Sequence, residues 1–534
     1  MEKRNHGRLG QTLVMAEKIK FIYSNIHSDM KKLLFVALAL SCILLPTEAK
    51  KKVRVHTIGD STMADYAENT TRTRGWGEMF QEFFSDDVEV MNYARGGRST
   101  RSFINEGLWD KVKANIRKGD YVLIQFAHND EKGGGTYSDD GRGTDPWGHY
   151  KANLERYVNE TRELGGNPIL VTPIVRRYFM KDGTISAKGC HNLSASPADS
   201  TLDYVFVMKQ VARNMDVPLI DHTALTKSFV EKLGEKKTVA LIYVPTDGTH
   251  TQATGAALYA QMVAKELQEM GILKRSVHPK TPIVLNPESI DFNTLYVGDE
   301  ARICFDFVGL ALPGQSGKVT ITAPEGMTVA SSPEAPKSRQ IDIEYSDGKL
   351  WNQCFYLYFK PTRPGKIDDN VTIVCGKIKR TLPVYADCKQ ISKETPKKIT
   401  VKNHTLKGLV EDASGITIEK GTWPADIDES GSRYIEFFVK GLKKSVIVRQ
   451  VSFTLSGKVA YRVAASKGND FYPRIDLGEN QRAVEGSQRI TLPVNMTIKP
   501  NERLGIRIFP WSTEATDSLH FDIEGFTLEG MEIE

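Results

Sequence analysis

Two short strings about 190 residues apart hold side chains that together could cleave an ester. In Thr57-Ile58-Gly59-Asp60-Ser61-Thr62-Met63-Ala64-Asp65, Gly-Asp-Ser breaks an apolar, β-prone run and leaves a serine at a predicted strand-to-helix corner. A hydroxyl there lies at the carboxyl end of a strand, where open α/β sheets bind ligands. The backbone N–H groups that open the next helix can hold a developing oxyanion. A serine hydroxyl is a weak nucleophile until a histidine takes its proton and a carboxylate orients that histidine. Thr246-Asp247-Gly248-Thr249-His250-Thr251 supplies both. Three residues away, Asp247 can reach His250 Nδ1 within one loop turn, which fixes the tautomer and aims Nε2 at Ser61.

Two further blocks lie between these strings, Asn92-Tyr93-Ala94-Arg95-Gly96-Gly97-Arg98-Ser99 and Phe126-Ala127-His128-Asn129-Asp130. Each follows a predicted strand and so opens onto the same sheet edge as Ser61. A glycine lets the backbone come close to a substrate and present its N–H, and an asparagine amide supplies another donor. Ser61 N–H, Gly97 N–H and the Asn129 amide are therefore expected to form a three-donor oxyanion hole.

The elements that must position these blocks show in the hydrophobic pattern. Strands are predicted at 53–58, 88–92, 121–126, 169–172 and 217–220, and helices at 77–84, 108–116, 149–164, 202–215 and 253–270. Strands alternating with helices argue for a parallel sheet covered on both faces. Residues 131–148, rich in Gly, Asp and Thr, form a long loop over the mouth of the site. Beyond residue 272 the pattern changes to short alternating runs. The proline-bearing stretches 274–287 and 389–398 read as linkers, and the regions they bound as two β-sandwiches. The expected organisation is an upstream extension at 1–29, a signal peptide at 30–49, an α/β domain at 50–275 able to close its own core, an Ig-like sandwich at 281–388, and a jelly-roll-like sandwich at 399–534.

Met30-Lys31-Lys32, the apolar run from Leu33 to Leu45 and the small-residue exit at Ala49 are the parts of a secretory signal, too short for a membrane span. Export to the medium or periplasm follows, with cleavage near Ala49; Cys42 leaves lipoprotein attachment open. Seven Lys/Arg against four Asp/Glu in the first 49 residues carry three of the five formal positive charges, leaving about +2 for the rest. That balance argues against a nucleic-acid partner. Five cysteines outside the leader make no framework and no zinc pattern, although export allows pairs among Cys304, Cys354, Cys375 and Cys388. The eleven histidines show no metal-ligand spacing, so neither metal nor cofactor is expected. Nothing in the pattern sets the oligomeric state.

The four blocks resemble the SGNH/GDSL hydrolase superfamily. The longer strings at 59–64 (GDSTMA), 92–101 (NYARGGRSTR), 125–130 (QFAHND), 171–177 (VTPIVRR) and 247–251 (DGTHT) resemble the rhamnogalacturonan acetylesterases of carbohydrate esterase family 12. The resemblance covers about residues 53–272. It implies a flavodoxin-like three-layer α/β/α fold with a five-stranded parallel sheet. It also implies cofactor-free hydrolysis of acetyl esters on an acidic plant polysaccharide, with Ser61 as nucleophile, Asp247 and His250 completing the triad, and Gly97 and Asn129 as oxyanion donors. Ala127 departs from the superfamily's usual glycine, and its methyl group is expected to narrow the site. Two alternatives stand beside this reading: an acylhydrolase for another ester, such as acetylated xylan or a small lipid ester, and a carbohydrate-binding protein with a vestigial esterase domain.

Other residues carry a bland reading beside a functional one. Asp60 and Asp130 are expected to hold their loops by accepting backbone N–H groups, and His128 to pack the loop. Arg95, Arg98 and Arg101 are either a solvated basic loop or a binding surface for sugar carboxylates, for which a planar guanidinium is suited. Arg176 and Arg177 follow the fourth strand, so at least one is expected to touch substrate. Trp147 either stacks on a sugar ring or anchors its loop. Trp423, Tyr472 and Trp511 are sandwich core or a carbohydrate platform, with core the safer reading.

Overall fold

The computed structural model describes residues 52–533 except 67–71, 138–140, 195, 299, 333–334, 391–396, 400, 402, 426–432, 441, 468–470, 472–474, 479–480, 483–485 and 501, together with Met15. The expected signal at 30–49, with Cys42 and Ala49, lies outside the described residues, as do Tyr472 and, Met15 apart, the extension at 1–29. Residues 53–534 make one unit.

At its front is a parallel sheet of β1 (Val53–Gly59), β2 (Val88–Asn92), β3 (Tyr121–Gln125), β4 (Asn167–Val171) and β5 (Leu219–Ile220) in the order β2-β1-β3-β4-β5. This is the flavodoxin-like order, which places its ligand site at the carboxyl ends of the strands. Successive side chains of a strand point to opposite faces, and both faces are covered. Val55, Leu123, Ile169 and Val171 pack with Trp76, Phe80 and the helix Ala253–Glu269 on one side. Ile58, Val122, Ile124 and Leu170 pack with Trp109, Tyr157 and Met208 on the other.

Helices form at Leu108–Lys113, Lys151–Glu163, Tyr204–Asn214 and Ala253–Glu269, close to the predicted positions. The helix expected at 77–84 is a 3₁₀ segment, Trp76–Phe83. Helices at Thr100–Asn105, His222–Leu233 and Glu235–Leu241 are additional to the predicted ones. The second of these packs Leu225, Phe229, Val230 and Leu233 on the core and buries Thr223 and Thr226 beside them. Side-chain caps mark two of these starts: Ser99 Oγ accepts from Ser102 N–H and Asp221 Oδ1 from Ala224 N–H.

Behind the α/β domain, β6 (Ile283–Asn286), β7 (Ile290–Tyr296), β8 (Ala301–Gly309), β9 (Ser316–Thr322), β10 (Met327–Ala330), β11 (Gln340–Ser346), β12 (Leu350–Phe359), β13 (Gly365–Cys375) and β14 (Ile378–Lys389) form two sheets, β10-β12-β8-β6 and β11-β9-β13-β14-β7. Phe305, Phe355 and Leu357 from one meet Val319, Ile321, Val371 and Val384 from the other in a single core. The C-terminal region is a second two-sheet sandwich. There Trp423 and Trp511 are buried, as core residues rather than a surface platform. All five described cysteines are free thiols. No helix of the described residues is long and apolar enough to cross a membrane.

The stretch expected as a linker at 274–287 is instead a packed seam. His278 N–H donates to the Phe83 carbonyl, and residues 283–286 are already a strand of the first sandwich. Val284 and Val308 belong to the same core as Trp76 and Phe80. The helix Ala253–Glu269 ends before Gly271 (φ +76°), and the prolines that suggested an open linker lie within this packed seam.

The 3₁₀ segment lies directly against the turn that carries Ser61. Trp76 N–H donates to the Thr62 carbonyl (3.0 Å), and a Cβ at Gly75 would stand 2.2 Å from the Ala64 oxygen and 2.5 Å from the Met63 carbonyl carbon. Backbone atoms cannot move aside as a flexible side chain can. Gly75→Ala is therefore expected to destabilise the protein by about 1–3 kcal/mol, the usual cost of overpacking. Urea denaturation checks this; an unchanged midpoint would contradict the close packing.

Candidate active site

The peptide after β1 turns sharply because Asp60 organises it. Asp60 Oδ1 accepts from Thr62 N–H (2.9 Å) and Thr62 Oγ1 (2.8 Å), and the Asp60 carbonyl accepts from Met63 and Ala64 N–H. Ser61 thus sits half-buried at the head of a single helical-type turn, not at the start of the helix expected there. Neighbours hold this turn from both sides. Tyr66 Oη donates to the Ser61 carbonyl (2.9 Å), and Asn92, at the end of β2, donates to the Met63 carbonyl (2.9 Å). Burial raises the Asp60 carboxyl pKa.

His250 lies between the other two expected triad members. Its Nε2 is 2.8 Å from Ser61 Oγ and its Nδ1 is 2.6 Å from Asp247 Oδ2. Asp247 Oδ1 accepts from Thr249 N–H (2.6 Å) and His250 N–H (3.2 Å), so the carboxylate closes its own loop. Partial burial favours the neutral acid, but the His250 hydrogen bond and charge and the backbone donors prevail, holding the Asp247 pKa at about 2. An ionised Asp247 fixes Nδ1–H on His250 and leaves Nε2 as the acceptor for the Ser61 proton.

The second and third blocks close round the nucleophile. A Cβ built on Gly96 would stand 3.8 Å from Ser61 Cβ. Gly97 has φ +79°, a left-handed conformation that favours glycine. Asn129 donates one amide hydrogen to the Arg98 carbonyl (3.1 Å), which ties the third block to the second; the amide carries a second hydrogen. Asp130 reinforces the tie by accepting from Thr100 N–H, Thr100 Oγ1 and Thr144 Oγ1. Asp60 and Asp130 thus hold loops as expected. Ala127 corrects an expectation: it is fully buried in the core with Phe126 and Tyr157, so its methyl group does not narrow the site.

Arg176 and Arg177 also differ from their expected role. Arg176 is buried; it donates to Glu131 Oε1 (2.6 Å), the His128 carbonyl (3.2 Å) and Thr249 Oγ1. Arg177 donates through Nε to the Asp247 carbonyl (3.0 Å) and through Nη2 to the Pro245 carbonyl (2.6 Å). Both guanidiniums brace the loop that carries Asp247 and His250. Position after a strand end brings a side chain to the site, but it does not reveal which carbonyls will claim it. His128 packs its ring against His191 at 4.4 Å, and neither of its ring nitrogens has a partner among the described residues. Burial and nearby cations push its pKa well down.

Around the mouth, Arg98 forks onto Glu106 (2.8 and 2.9 Å) and donates to the Gly96 carbonyl, which shapes the glycine loop. Arg101 lies 3.9 Å over the Tyr137 ring, and Arg95 is exposed. Trp147 donates its indole N–H to the Ser200 carbonyl (3.0 Å) while much of its ring stays exposed, so it anchors its loop. Two residues escaped sequence reasoning. Arg142 is exposed near Gly97, 3.8 Å from a Cβ built there, and Tyr178 is exposed against Gly248. The glycine-rich setting of Arg142 at 131–148 was the available signal; Tyr178 had none. Among the described residues, no group of three or more His, Cys, Asp or Glu side chains is placed to hold a metal ion.

Residues 55–294 match the GDSL-like lipase/acylhydrolase family. The chain is similar to the rhamnogalacturonan acetylesterase RhgT of Bacillus subtilis, with 35% identity over 235 residues, 42% of this chain and 93% of that protein. It is similar to the probable rhamnogalacturonan acetylesterase YesY of the same organism, with 31% identity over 41% of this chain and 94% of the relative. A rhamnogalacturonan acetylesterase of Emericella nidulans is 33% identical over 45% of this chain and 94% of its own length. Nearly the whole of each relative is matched by less than half of this chain.

Asp130 offers a pH test of how these blocks are held together. Burial raises its carboxyl to about 7, against the opposing pull of the Thr100 and Thr144 donors. The unfolded chain releases this proton at about pH 3.9. The stability linked to Asp130 is therefore fully present below that pH and is lost as the pH rises through about 7. Asp130→Asn keeps an acceptor oxygen but does not titrate. The stability of the wild type relative to this variant should fall between about pH 4.5 and about pH 8. A difference independent of pH, measured by urea denaturation, would contradict this.

Proposed function

The chain belongs to the GDSL-like lipase/acylhydrolase family and is a carboxylic ester hydrolase, and on that premise we propose that it is a secreted serine esterase that removes acetyl groups from an acidic pectic polysaccharide of the rhamnogalacturonan type. The observation that carries the proposal is the position of His250, within hydrogen-bond distance of both Ser61 Oγ and Asp247 Oδ2. The relatives named above support the substrate class. The exposed Arg95 and Arg142 beside the glycine loop suit an acidic polymer, since guanidinium groups pair well with carboxylates. Export rests on the signal pattern at 30–49, with cleavage near Ala49.

In this mechanism Ser61 Oγ attacks the acetyl carbonyl carbon as His250 Nε2 takes its proton. Asp247 stabilises the imidazolium that forms. The negative charge collects on the former carbonyl oxygen, where Ser61 N–H, Gly97 N–H and the Asn129 amide receive it. The bond to the sugar oxygen then breaks, and that oxygen leaves with the proton from His250. Water attacks the acetyl-Ser61 carbonyl, His250 takes the water's proton, and acetate departs as Ser61 regains its hydrogen.

Ser61→Ala is expected to lower kcat by on the order of a thousandfold or more with the fold intact. Asn129→Ala removes a donor that acts mainly in the transition state and should lower kcat about 100- to 1000-fold with little change in KM. Retention of more than about a tenth of the activity by Ser61→Ala would refute the nucleophile assignment. A pure KM effect would make Asn129 a substrate-binding residue. Acetate release from acetylated pectin, xylan and mannan tests the substrate; preference for xylan or mannan would overturn the pectic assignment.

A further inference from the structure

The first β-sandwich reaches the α/β domain at residues directly bonded to the catalytic machinery. On β8, Asp306 Oδ2 accepts from Arg74 Nε at 2.6 Å, and both side chains are buried. Arg74 in turn is bonded twice through its backbone to Thr251, the residue after His250. Arg74 N–H donates to the Thr251 carbonyl (2.8 Å), and Thr251 Oγ1 donates to the Arg74 carbonyl (2.7 Å). On β6, Asn286 Nδ2 donates to Glu78 Oε1 (2.9 Å). Glu78 Oε2 accepts from Tyr66 N–H (3.3 Å), and Tyr66 Oη donates to the Ser61 carbonyl (2.9 Å). On β12, Asn352 exchanges two hydrogen bonds with Thr254, in the first turn of the helix that follows His250 (2.9 and 3.1 Å).

Resting on the Ser61–His250 reading above, we propose that the first β-sandwich is part of the catalytic centre, with Asp306 acting through Arg74 and Thr251 to position His250, and Asn286 acting through Glu78 and Tyr66 to position Ser61. The two triad side chains come from loops far apart in sequence, and each loop is tied to the same sandwich by a polar chain. Asp306 lies beyond residues 55–294, the segment that matches the family, whereas Asn286 lies within it. Burial alone would lower the Arg74 pKa, yet Asp306 and Glu78 hold the guanidinium charged. Replacing Asp306 therefore removes the buried cation's shortest ionic partner, and the guanidinium is drawn toward its other carboxylate, Glu78 (3.7 Å). A shift of Arg74 passes to Thr251 and from there to the imidazole. The sandwich positions reacting groups without touching substrate.

The test uses the full chain and 4-nitrophenyl acetate, a small ester that needs no polymer binding. Asp306→Asn is expected to lower kcat at least tenfold while KM stays within about threefold, since misplacement of reacting groups is felt in the transition state. Asn286→Ala should show the same split, more weakly. Tyr66→Phe removes the hydroxyl that meets Ser61. If Asn286 acts through that bond, Asn286→Ala should add little to the kcat loss of Tyr66→Phe, whereas independent effects would multiply. Should Asp306→Asn fail to fold, the cycle of Asn286→Ala with Tyr66→Phe decides the question. If Asp306→Asn and Asn286→Ala keep kcat within twofold while Ser61→Ala abolishes turnover, the sandwich is a mere neighbour and the inference is overturned. If Ser61→Ala itself remains active, it is the underlying esterase reading that fails.

Discussion

Everything in this molecule is subordinate to the 2.8 Å contact between His250 Nε2 and Ser61 Oγ. A general base works only within hydrogen-bond reach of the proton it takes. The two residues come from opposite ends of the α/β domain, so the chain must close that distance with rigid parts. The parallel sheet does the coarse work by bringing β1 and the loops after β2, β3 and β4 to one edge. Finer placement comes from side chains bonding backbone: Asp60 within the serine turn, Asp247 within the histidine loop, and Arg177, in the segment after β4, to that loop.

Such placement requires buried polar groups, and their energetics explain why they form chains. A buried ion pair contributes little net stability compared with an apolar replacement, but losing one partner is costly. Arg176 with Glu131, and Arg74 with Asp306, are pairs of this kind. Each touches the backbone or side chain of residues 249–251, next to His250. Their contribution is geometric: a guanidinium with several donors in one plane fixes several acceptors relative to one another. An apolar core cannot specify a carbonyl's position in that way. The two arginines reach the histidine loop from different parts of the chain, one from the segment after β4 and one from the seam with the sandwich.

Much of the α/β domain was legible because its signals are local. Val53-Arg54-Val55-His56 and Tyr121-Val122-Leu123-Ile124 announce buried strands by composition, and Gly59-Asp60-Ser61 and Asp247-Gly248-Thr249-His250 hold chemistry and turn residues in one string. What escaped depends on long-range partners. Arg74 and Asp306 are 232 residues apart, and no local pattern pairs them. Arg176 and Arg177 were legible as site residues but not as braces, because a guanidinium serves a carbonyl and a carboxylate equally well. The prolines near 279–287 suggested a boundary, but whether a boundary is open or packed depends on apolar residues such as Val284 and Val308 meeting Trp76 and Phe80. The helix His222–Leu233 was legible but not predicted: Leu225, Phe229 and Leu233 recur at helical spacing and pack on the core.

Passage of the acyl group through Ser61 is measured most directly by rapid quenching of the full chain during turnover of 4-nitrophenyl acetate, followed by peptide mass spectrometry. A burst of nitrophenol is the kinetic sign of a covalent intermediate that builds up before it hydrolyses. One added acetyl group per chain is expected at early times, located on the peptide that carries Ser61 and lost as turnover ends. Acetate release with no acetyl on that peptide, under conditions where the burst shows an intermediate, would contradict it, as would a label on any other residue.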